Sequence, residues 1–493
     1  MPRPAILAAC LFLAAPSGEK KPNVVYVLCD DLGYGDVRCL NPERGRIPTP
    51  HIDRLAAGGL TFTDAHSGSS VCTPTRYGIL TGRYSWRTRL QSGVLMGFSP
   101  PLIAPGRATV ASLFKQHGYA TGGVGKWHLG MDWPGKGEKD IDYTQPIRNG
   151  PTTLGFDYYY GISASLDMPP FIFIENDRTV GVPTVEKTWV RKGPAHKDFE
   201  AVDVLPTLAR KAVEFIDRHA SKPFFLYLPL NSPHTPIVPA PEWQGKSELG
   251  PYGDFVMETD WALGEVLKAL DRNGVAEDTL VVFTSDNGCS PAAGVKDLEA
   301  KGHYPSHVFR GYKADIWDGG HRVPFIVRWP AVVKPGGTCS RLVCLTDLLA
   351  TAADLLGAKR PDDAGEDSVS FLPLLRGEDR AVRETVIHHS ISGRFAIRDE
   401  RWKLDFAPGS GGWASPRDPE AVKQGLPPVQ LYDMAADVGE KANLHEKHPE
   451  VVERLTKLLE KHVADGRSTP GAPQKNDAEV DVRKSGARTP GRK

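Results

Sequence analysis

The sequence predicts an α/β protein: a large doubly wound sheet domain, mixed or parallel and flanked by helices, then a small antiparallel sheet with a packing helix. Three observations carry this. Residues 23–29 (NVVYVLC), 223–230 (PFFLYLPL) and 279–284 (TLVVFT) are short, continuous, β-rich apolar runs. Such runs suit strands buried on both faces. Amphipathic helical patterns alternate with them at 109–117, 205–219 and 255–273, the last stopping at Gly274. After about Gly377 the pattern changes to short strands at 385–389, 395–398 and 402–406, followed by a helix over 450–462 with Val451, Leu455, Leu458 and Leu459 on one face.

These shifts divide the chain into 1–19, 20–377, 378–464 and 465–493. The last stretch is rich in Pro, Gly, Lys and Arg and is expected to be a disordered tail. Residues 1–19 read as a secretory signal: Arg3 precedes a short apolar run, Ala5 to Ala15, which Pro16-Ser17-Gly18 ends. The expectation is export to the periplasm or beyond. Leu7-Ala8-Ala9-Cys10 resembles a lipoprotein processing box, but Cys10 lies too early for a full apolar region before it. No later run is long and apolar enough for a transmembrane helix.

Composition narrows the function. Among 493 residues, 60 Lys+Arg balance 60 Asp+Glu, which argues against a chain-wide grip on nucleic acid or anionic lipid. The seven cysteines (Cys10, Cys29, Cys39, Cys72, Cys289, Cys339 and Cys344) contain no CxxC pair for zinc and are too few for a disulfide scaffold. Pairing of Cys339 with Cys344 stays open.

The ends of the two best strands hold the first chemical signal. Asp30-Asp31 follow residues 23–29, and Asp286-Asn287-Gly288 follow the run at 279–284. In open α/β sheets the binding crevice lies beyond the carboxyl ends of the strands. Three carboxylates and an amide oxygen meeting there suit Ca²⁺ or Mg²⁺, and Ca²⁺ accepts more ligands. Taken singly, one cluster reads as a turn and the other as a helix cap. Two clusters at equivalent strand ends favour the metal. Cys72, in Ser70-Val71-Cys72-Thr73-Pro74-Thr75-Arg76, is expected just before a helix's first turn, which Pro74 suits, near the fixed positive charge of Arg76. A thiolate is nevertheless a poor partner for a hard cation.

Cys72-x-Pro74-x-Arg76 resembles the signature of the formylglycine-dependent sulfatases, within the alkaline-phosphatase-like superfamily. It is joined by Thr49–Ala56 (TPHIDRLA), Thr81-Gly82-Arg83, Gly125–Gly130 (GKWHLG) and Gly320–Pro324 (GHRVP), in the family's order, over about residues 23–444. The resemblance implies that Cys72 is oxidised to formylglycine by a formylglycine-generating or anaerobic maturation enzyme. It implies Asp30, Asp31, Asp286, Asn287 and modified Cys72 as Ca²⁺ ligands, and Arg76 as the group holding the nucleophile and the metal-side carboxylates. Lys126 and Lys313 match the sulfate-binding lysines, His128 the histidine that assists the nucleophile, and His234 the proton donor to the leaving alcohol. A phosphate loop at Lys126 fails, because Ala120 stands where the first Gly belongs and Trp127 replaces Ser/Thr.

The implied activity is a sulfuric ester hydrolase acting on aryl sulfate and, in nature, a sulfated carbohydrate. Two alternatives are a phosphate or phosphonate ester hydrolase on the same fold, and a non-catalytic sulfated-glycan-binding protein. The stretch 155–176, with Phe156 and Tyr158 to Tyr160, reads equally as a sugar-stacking loop and as core. His303, His307 and Arg310, just before Lys313, are expected to rim the pocket, with His303 and Arg310 as substrate-binding residues.

Overall fold

A computed structural model describes residues 21–484. The expected signal segment and residues 485–493 lie outside the described residues. The run NVVYVLC forms β1 (Asn23–Cys29), with every residue buried. It lies inside a ten-strand mixed sheet with β2 (Leu60–Phe62), β3 (Ala120–Lys126), β4 (Tyr158–Ile162), β5 (Ile174–Glu175), β6 (Arg178–Thr179), β7 (Phe224–Pro229), β8 (Thr279–Ser285), β9 (Phe325–Arg328) and β10 (Gly337–Cys339). The spatial order is β10-β2-β9-β8-β1-β7-β3-β4-β5-β6. The five strands from β8 to β4 run parallel, and β9 pairs antiparallel to β8.

Helices cover both faces, as the continuous apolar strands require. Val25 and Val27 pack with α4 (Val204–His219) and α5 (Pro251–Arg272), through Leu205, Leu208, Phe215, Leu263 and Leu270. Val24, Tyr26 and Leu28 point the other way, toward α3 (Val110–Gln116) and α6 (Leu348–Leu356), and meet Phe114, Leu348 and Ala352. Each fully buried large side chain contributes about 1.5–3 kcal/mol of hydrophobic stabilisation. Two shorter helices matter below: α1 (Pro50–Ala57) and α2 (Cys72–Thr81). Among the described residues no helix is long and apolar enough to cross a membrane.

β3 carries no apolar run, and its sequence, ATGGVGK, depresses strand propensity. The glycines serve close approach. A Cβ on Gly125 would lie 1.8 Å from the Pro229 carbonyl oxygen of neighbouring β7.

The small sheet comprises β11 (Val386–His389), β12 (Phe395–Arg398), β13 (Trp402–Asp405) and β14 (Gln430–Asp433), all antiparallel. β14 has no signal in the sequence pattern beyond Leu431 and Tyr432. α7 (Pro449–Ala464) buries Leu455 and Leu459 against Ile397, Leu404 and Leu431.

Residues 465–484 differ from the expected disordered tail. Arg83 Nη2 donates to the Lys475 carbonyl at 3.0 Å and to Asp477 Oδ1 at 3.1 Å. Arg87 Nη1 donates to Asn476 Oδ1 at 3.0 Å, and Val482 joins the apolar cluster under the small sheet. Composition counts apolar residues, whereas this segment is tied down by buried arginines of the large domain. The six described cysteines are all free, so Cys339 and Cys344 are not paired.

Exposure separates two carboxylates in this region. Asp367 is fully buried and accepts from Arg87 Nε and Nη2, both at 2.8 Å, and from the Tyr84 amide at 2.9 Å. Asp477 leaves 48% of its side chain exposed. Asp367→Ala is expected to cost about 3–5 kcal/mol, because it strands a buried guanidinium. Asp477→Ala is expected to cost under about 1 kcal/mol, since solvent screens that pair. Urea unfolding of the two variants checks the contrast.

Candidate active site

β1 and β8 pair in register, Cys29 opposite Ser285, so Asp30-Asp31 and Asp286-Asn287 leave the sheet side by side. Backbone bonds lock the two ends together. The Asp286 amide donates to the Cys29 carbonyl at 3.0 Å, and the Asp31 amide donates to Asp286 Oδ1 at 3.2 Å. Asp31 adopts φ 68°, a left-handed conformation that only firm surroundings hold in a non-glycine residue. One carboxylate oxygen from each of Asp30, Asp31 and Asp286 lies within 4.8 Å of the others. Asn287 Nδ2 donates to Asp31 Oδ1 at 2.8 Å, while its own Oδ1 is buried without a partner. Three carboxylates and an orphaned amide oxygen are hard donors, and they fit Ca²⁺ or Mg²⁺.

α2 brings in the next group. Cys72 is its first residue, 2% exposed, after extended Val71. The Cys72 sulfur, a carboxylate oxygen of Asp30 and a ring nitrogen of His234 also lie within 4.8 Å of one another. One turn on, Arg76 reaches the carboxylates. Its Nε and Nη2 donate to Asp286 Oδ2 at 3.0 and 2.7 Å, and its Nη2 stands 3.4 Å from Asp30 Oδ1. Nη1 donates to the Lys126 carbonyl at 3.2 Å.

The remaining groups come from the neighbouring strand ends and loops. Lys126, the last residue of β3, donates to both oxygens of Asp30 at 2.9 and 2.7 Å. Lys313 donates to Asp31 Oδ1 and Oδ2 at 2.7 and 2.8 Å. His128, at φ 56°, donates from Nε2 to the Leu95 carbonyl at 2.7 Å, which leaves Nδ1 as a buried acceptor with no partner. His234 donates from Nδ1 to the Thr235 carbonyl at 2.6 Å and points Nε2 toward Asp31 Oδ2, 3.6 Å away.

The charges balance tightly. Burial works against ionised Asp30, but Lys126, His234, Arg76 and Lys313 together hold it well below the usual carboxylate range. Asp286 goes the other way: burial, with Asp30 and Asp31 adding, pushes it up to about 7 despite Arg76 and Lys126. Burial, Lys126 and Arg76 hold His128 well below the usual histidine range, so it is neutral. For His234, burial and Lys313 oppose the charge, yet Asp31, Asp30 and Cys72 outweigh them and raise it. Asp30, Asp31 and Asp286 face Arg76, Lys126 and Lys313. A divalent cation added to these would leave a net positive pocket suited to an anionic ester.

Every residue of the expected metal and catalytic set thus meets at one place: Asp30, Asp31, Cys72, Arg76, Lys126, His128, His234, Asp286, Asn287 and Lys313. Two expected substrate-binding residues do other work. His303 is fully buried, with Nε2 on Asp36 Oδ1 at 2.8 Å and Nδ1 accepting the Arg46 amide at 3.0 Å, so neither nitrogen is left for a ligand. Arg310 donates to Tyr432 OH at 3.1 Å and to the Glu440 carbonyl at 2.9 Å, and it lies over Trp317 at 3.6 Å. Proximity to Lys313 in sequence misled here, because the loop turns between them.

The aromatic stretch is largely core. Phe156, Tyr159 and Tyr160 are buried, and Trp127 packs edge-on against Phe156 and Tyr159. The Leu95 carbonyl, which sets the His128 tautomer, has no sequence signal, since any residue supplies a carbonyl.

The chain is similar to known proteins over most of its length. A family model described as Sulfatase matches residues 22–358, and one described as N-sulphoglucosamine sulphohydrolase, C-terminal, matches 312–410. The chain is 35% identical to an N-acetylgalactosamine-6-O-sulfatase of Bacteroides thetaiotaomicron, over 90% of this chain and 93% of that protein. It is 32% identical to human arylsulfatase A, over 93% and 90%. A solved structure from work on glycosaminoglycan metabolism by Bacteroides thetaiotaomicron superposes with a TM-score of 0.80 at 34% identity, covering 90% of this chain and 99% of that one.

The acid cluster yields a test that needs no substrate. Calcium is expected to raise the thermal midpoint of the wild-type protein, reaching about 2.7 kcal/mol of stabilisation at a hundredfold excess over Kd, and Asn287→Leu is expected to lose most of it. The effect should grow from pH 5 to pH 8. Asp286, raised to about 7, stays protonated at low pH and excludes the ion. In the metal-free protein the sign is opposite, because a raised carboxyl contributes stability at low pH that is lost as pH climbs through 7. Scanning calorimetry across pH, with and without calcium, checks both.

Proposed function

The chain belongs to the sulfatase family, and from that premise we propose an exported, Ca²⁺-dependent sulfatase that removes sulfate from a sulfated carbohydrate, using formylglycine made from Cys72. It is a sulfuric ester hydrolase. The observation that carries the finer reading is the convergence of Cys72 with Asp30 and His234 within 4.8 Å, beside the acid cluster. The maturation step falls to a formylglycine-generating or anaerobic maturation enzyme. Export rests on the N-terminal pattern of residues 1–19.

When present, Ca²⁺ and the formylglycine hydrate supply a Lewis acid for the sulfuryl oxygens and the attacking oxygen. Asp30, Asp31, Asp286 and Asn287 would hold the ion, and Arg76, bonded to Asp286 and facing Asp30, orients those two carboxylates. Lys126 and Lys313 turn their ammonium groups to the sulfuryl oxygens, where negative charge develops. Neutral His128 offers Nδ1 as the acceptor for a proton leaving the nucleophile's side. His234, poised to carry a proton on Nε2, donates it to the departing alcohol. A carbohydrate substrate draws support from the N-acetylgalactosamine-6-O-sulfatase relative.

Mass analysis of the peptide containing residue 72 is expected to find the aldehyde in active protein; activity with unmodified cysteine alone would overturn the mechanism. Lys313→Ala is expected to lower kcat/KM on an aryl sulfate by about 10²–10³, the scale of losing one transition-state charge contact. Aryl sulfate should turn over faster than aryl phosphate, and the reverse order would make the chain a phosphate esterase on the same fold. A panel of defined sulfated saccharides then reads the natural class.

A further inference from the structure

The loop that leads into Cys72 is gripped from behind by the small sheet. β11 is that sheet's edge strand, and its His389 carbonyl accepts the Ser70 amide at 3.0 Å and Ser69 Oγ at 2.8 Å. His388 Nδ1 donates to the Ser67 carbonyl at 3.2 Å. The Ser67 amide donates to the His321 carbonyl at 2.8 Å, and the Gly288 amide, next to Asn287, donates to the Gly320 carbonyl at 3.0 Å. The Ser70 carbonyl accepts the Ala314 amide at 2.8 Å, one residue beyond Lys313. Loop 67–70 and the strand end that bears Asn287 are therefore both bonded to residues 320–321, and the same loop joins β11 to the segment of Lys313.

A histidine column sits at that junction. His66, His321 and His388 are all fully buried. The rings of His321 and His388 stack with centroids 3.6 Å apart at 10°, and the Nδ1 atoms of His66 and His321 are 3.1 Å apart. Lys403 Nζ lies within hydrogen-bond reach of the Ile316 carbonyl, Asp318 Oδ1, His321 Nε2 and Glu440 Oε1, at 2.9, 3.1, 3.1 and 2.7 Å. His321 Nε2 also lies 2.9 Å from the Ile316 carbonyl. His66 Nε2 lies between Arg398 Nη1 at 2.7 Å and Asp64 Oδ1 at 2.9 Å. Burial first, then the neighbouring imidazoles and Lys403, keep His321 and His388 neutral.

A shared metal ion fits the column poorly. Parallel rings cannot turn their nitrogen lone pairs onto one ion, and Arg398 and Lys403 add positive charge. Packing fits better: a rigid, neutral wedge that joins large domain to small sheet directly behind residues 67–70.

We infer that His388 is a positioning residue for the reaction at residue 72: it ties the small sheet to loop 67–70 and so sets where the nucleophile stands relative to Asn287 and Lys313. The inference rests on residue 72 carrying the nucleophile. His388→Leu removes the Nδ1 donor and the stack's polarity, whereas His388→Asn keeps a donor near the same place. In His388→Leu, kcat on an aryl sulfate, per aldehyde found at residue 72, is expected to fall about 10–100-fold, the usual cost of a small misplacement. KM should stay within about twofold, and His388→Asn should recover most of the rate. Amide hydrogen exchange of residues 67–71 should quicken in the Leu variant and not in the Asn variant.

A kcat for His388→Leu within about twofold of wild type would overturn the inference, as would a rise in KM alone or an Asn variant as poor as Leu. Unchanged exchange at 67–71 in the Leu variant would also overturn it, and that readout needs no activity. A wild-type protein lacking both aldehyde and sulfatase activity would instead overturn the proposed function.

Discussion

Burying three carboxylates at one point is the constraint on which the rest of this molecule depends. Asp30, Asp31 and Asp286 are withdrawn from water, and such a cluster survives only if cations are delivered to it. Arg76 answers from α2, Lys126 from the end of β3, and Lys313 from the loop after β8. Each cation thereby fixes a separate piece of backbone against the β1–β8 strand ends. The charge requirement and the assembly of the site are the same requirement.

That logic repeats at the boundary between the large domain and the small sheet. Arg398 pairs with Asp64, and Lys403 pairs with Asp318 and Glu440, all from elements far apart in sequence. Buried ion pairs of this kind are weak sources of net stability, since desolvation offsets most of the Coulomb gain. They do set relative position, because a small slide leaves a charge unpaired. The small sheet can hold loop 67–70 in a defined place for that reason, while the segment after Ala464 is tied down by hydrogen bonds from Arg83 and Arg87 to the Lys475 carbonyl, Asp477 and Asn476.

The fold was legible where burial writes itself into residue type. β1, β7 and β8 are apolar on both faces, and α4 and α5 carry a repeating apolar stripe. β3 was not legible, because its glycines answer to backbone approach at Pro229 rather than to propensity. The site was legible where chemistry demands a particular side chain: Asp30, Asp31, Asp286 and Asn287 for a hard cation, Cys72 and Arg76 within one signature. It failed for His303 and Arg310, whose identities fit a pocket rim but whose neighbours, Asp36 and Tyr432, lie far away in the chain.

The sequence by itself therefore determined the layer architecture, the strand ends that bear the acids, and the family of the chemistry. Periodicity and reactive residue types are local properties, readable without knowing neighbours. Only the tertiary structure decided which histidines lie beside the acid cluster and which lie behind loop 67–70, that residues 465–484 pack, and that the small sheet stands behind Cys72. Those depend on which atoms share a desolvated space, and hydrogen bonds between residues hundreds of positions apart, such as Ser69 to His389, leave no mark in local pattern.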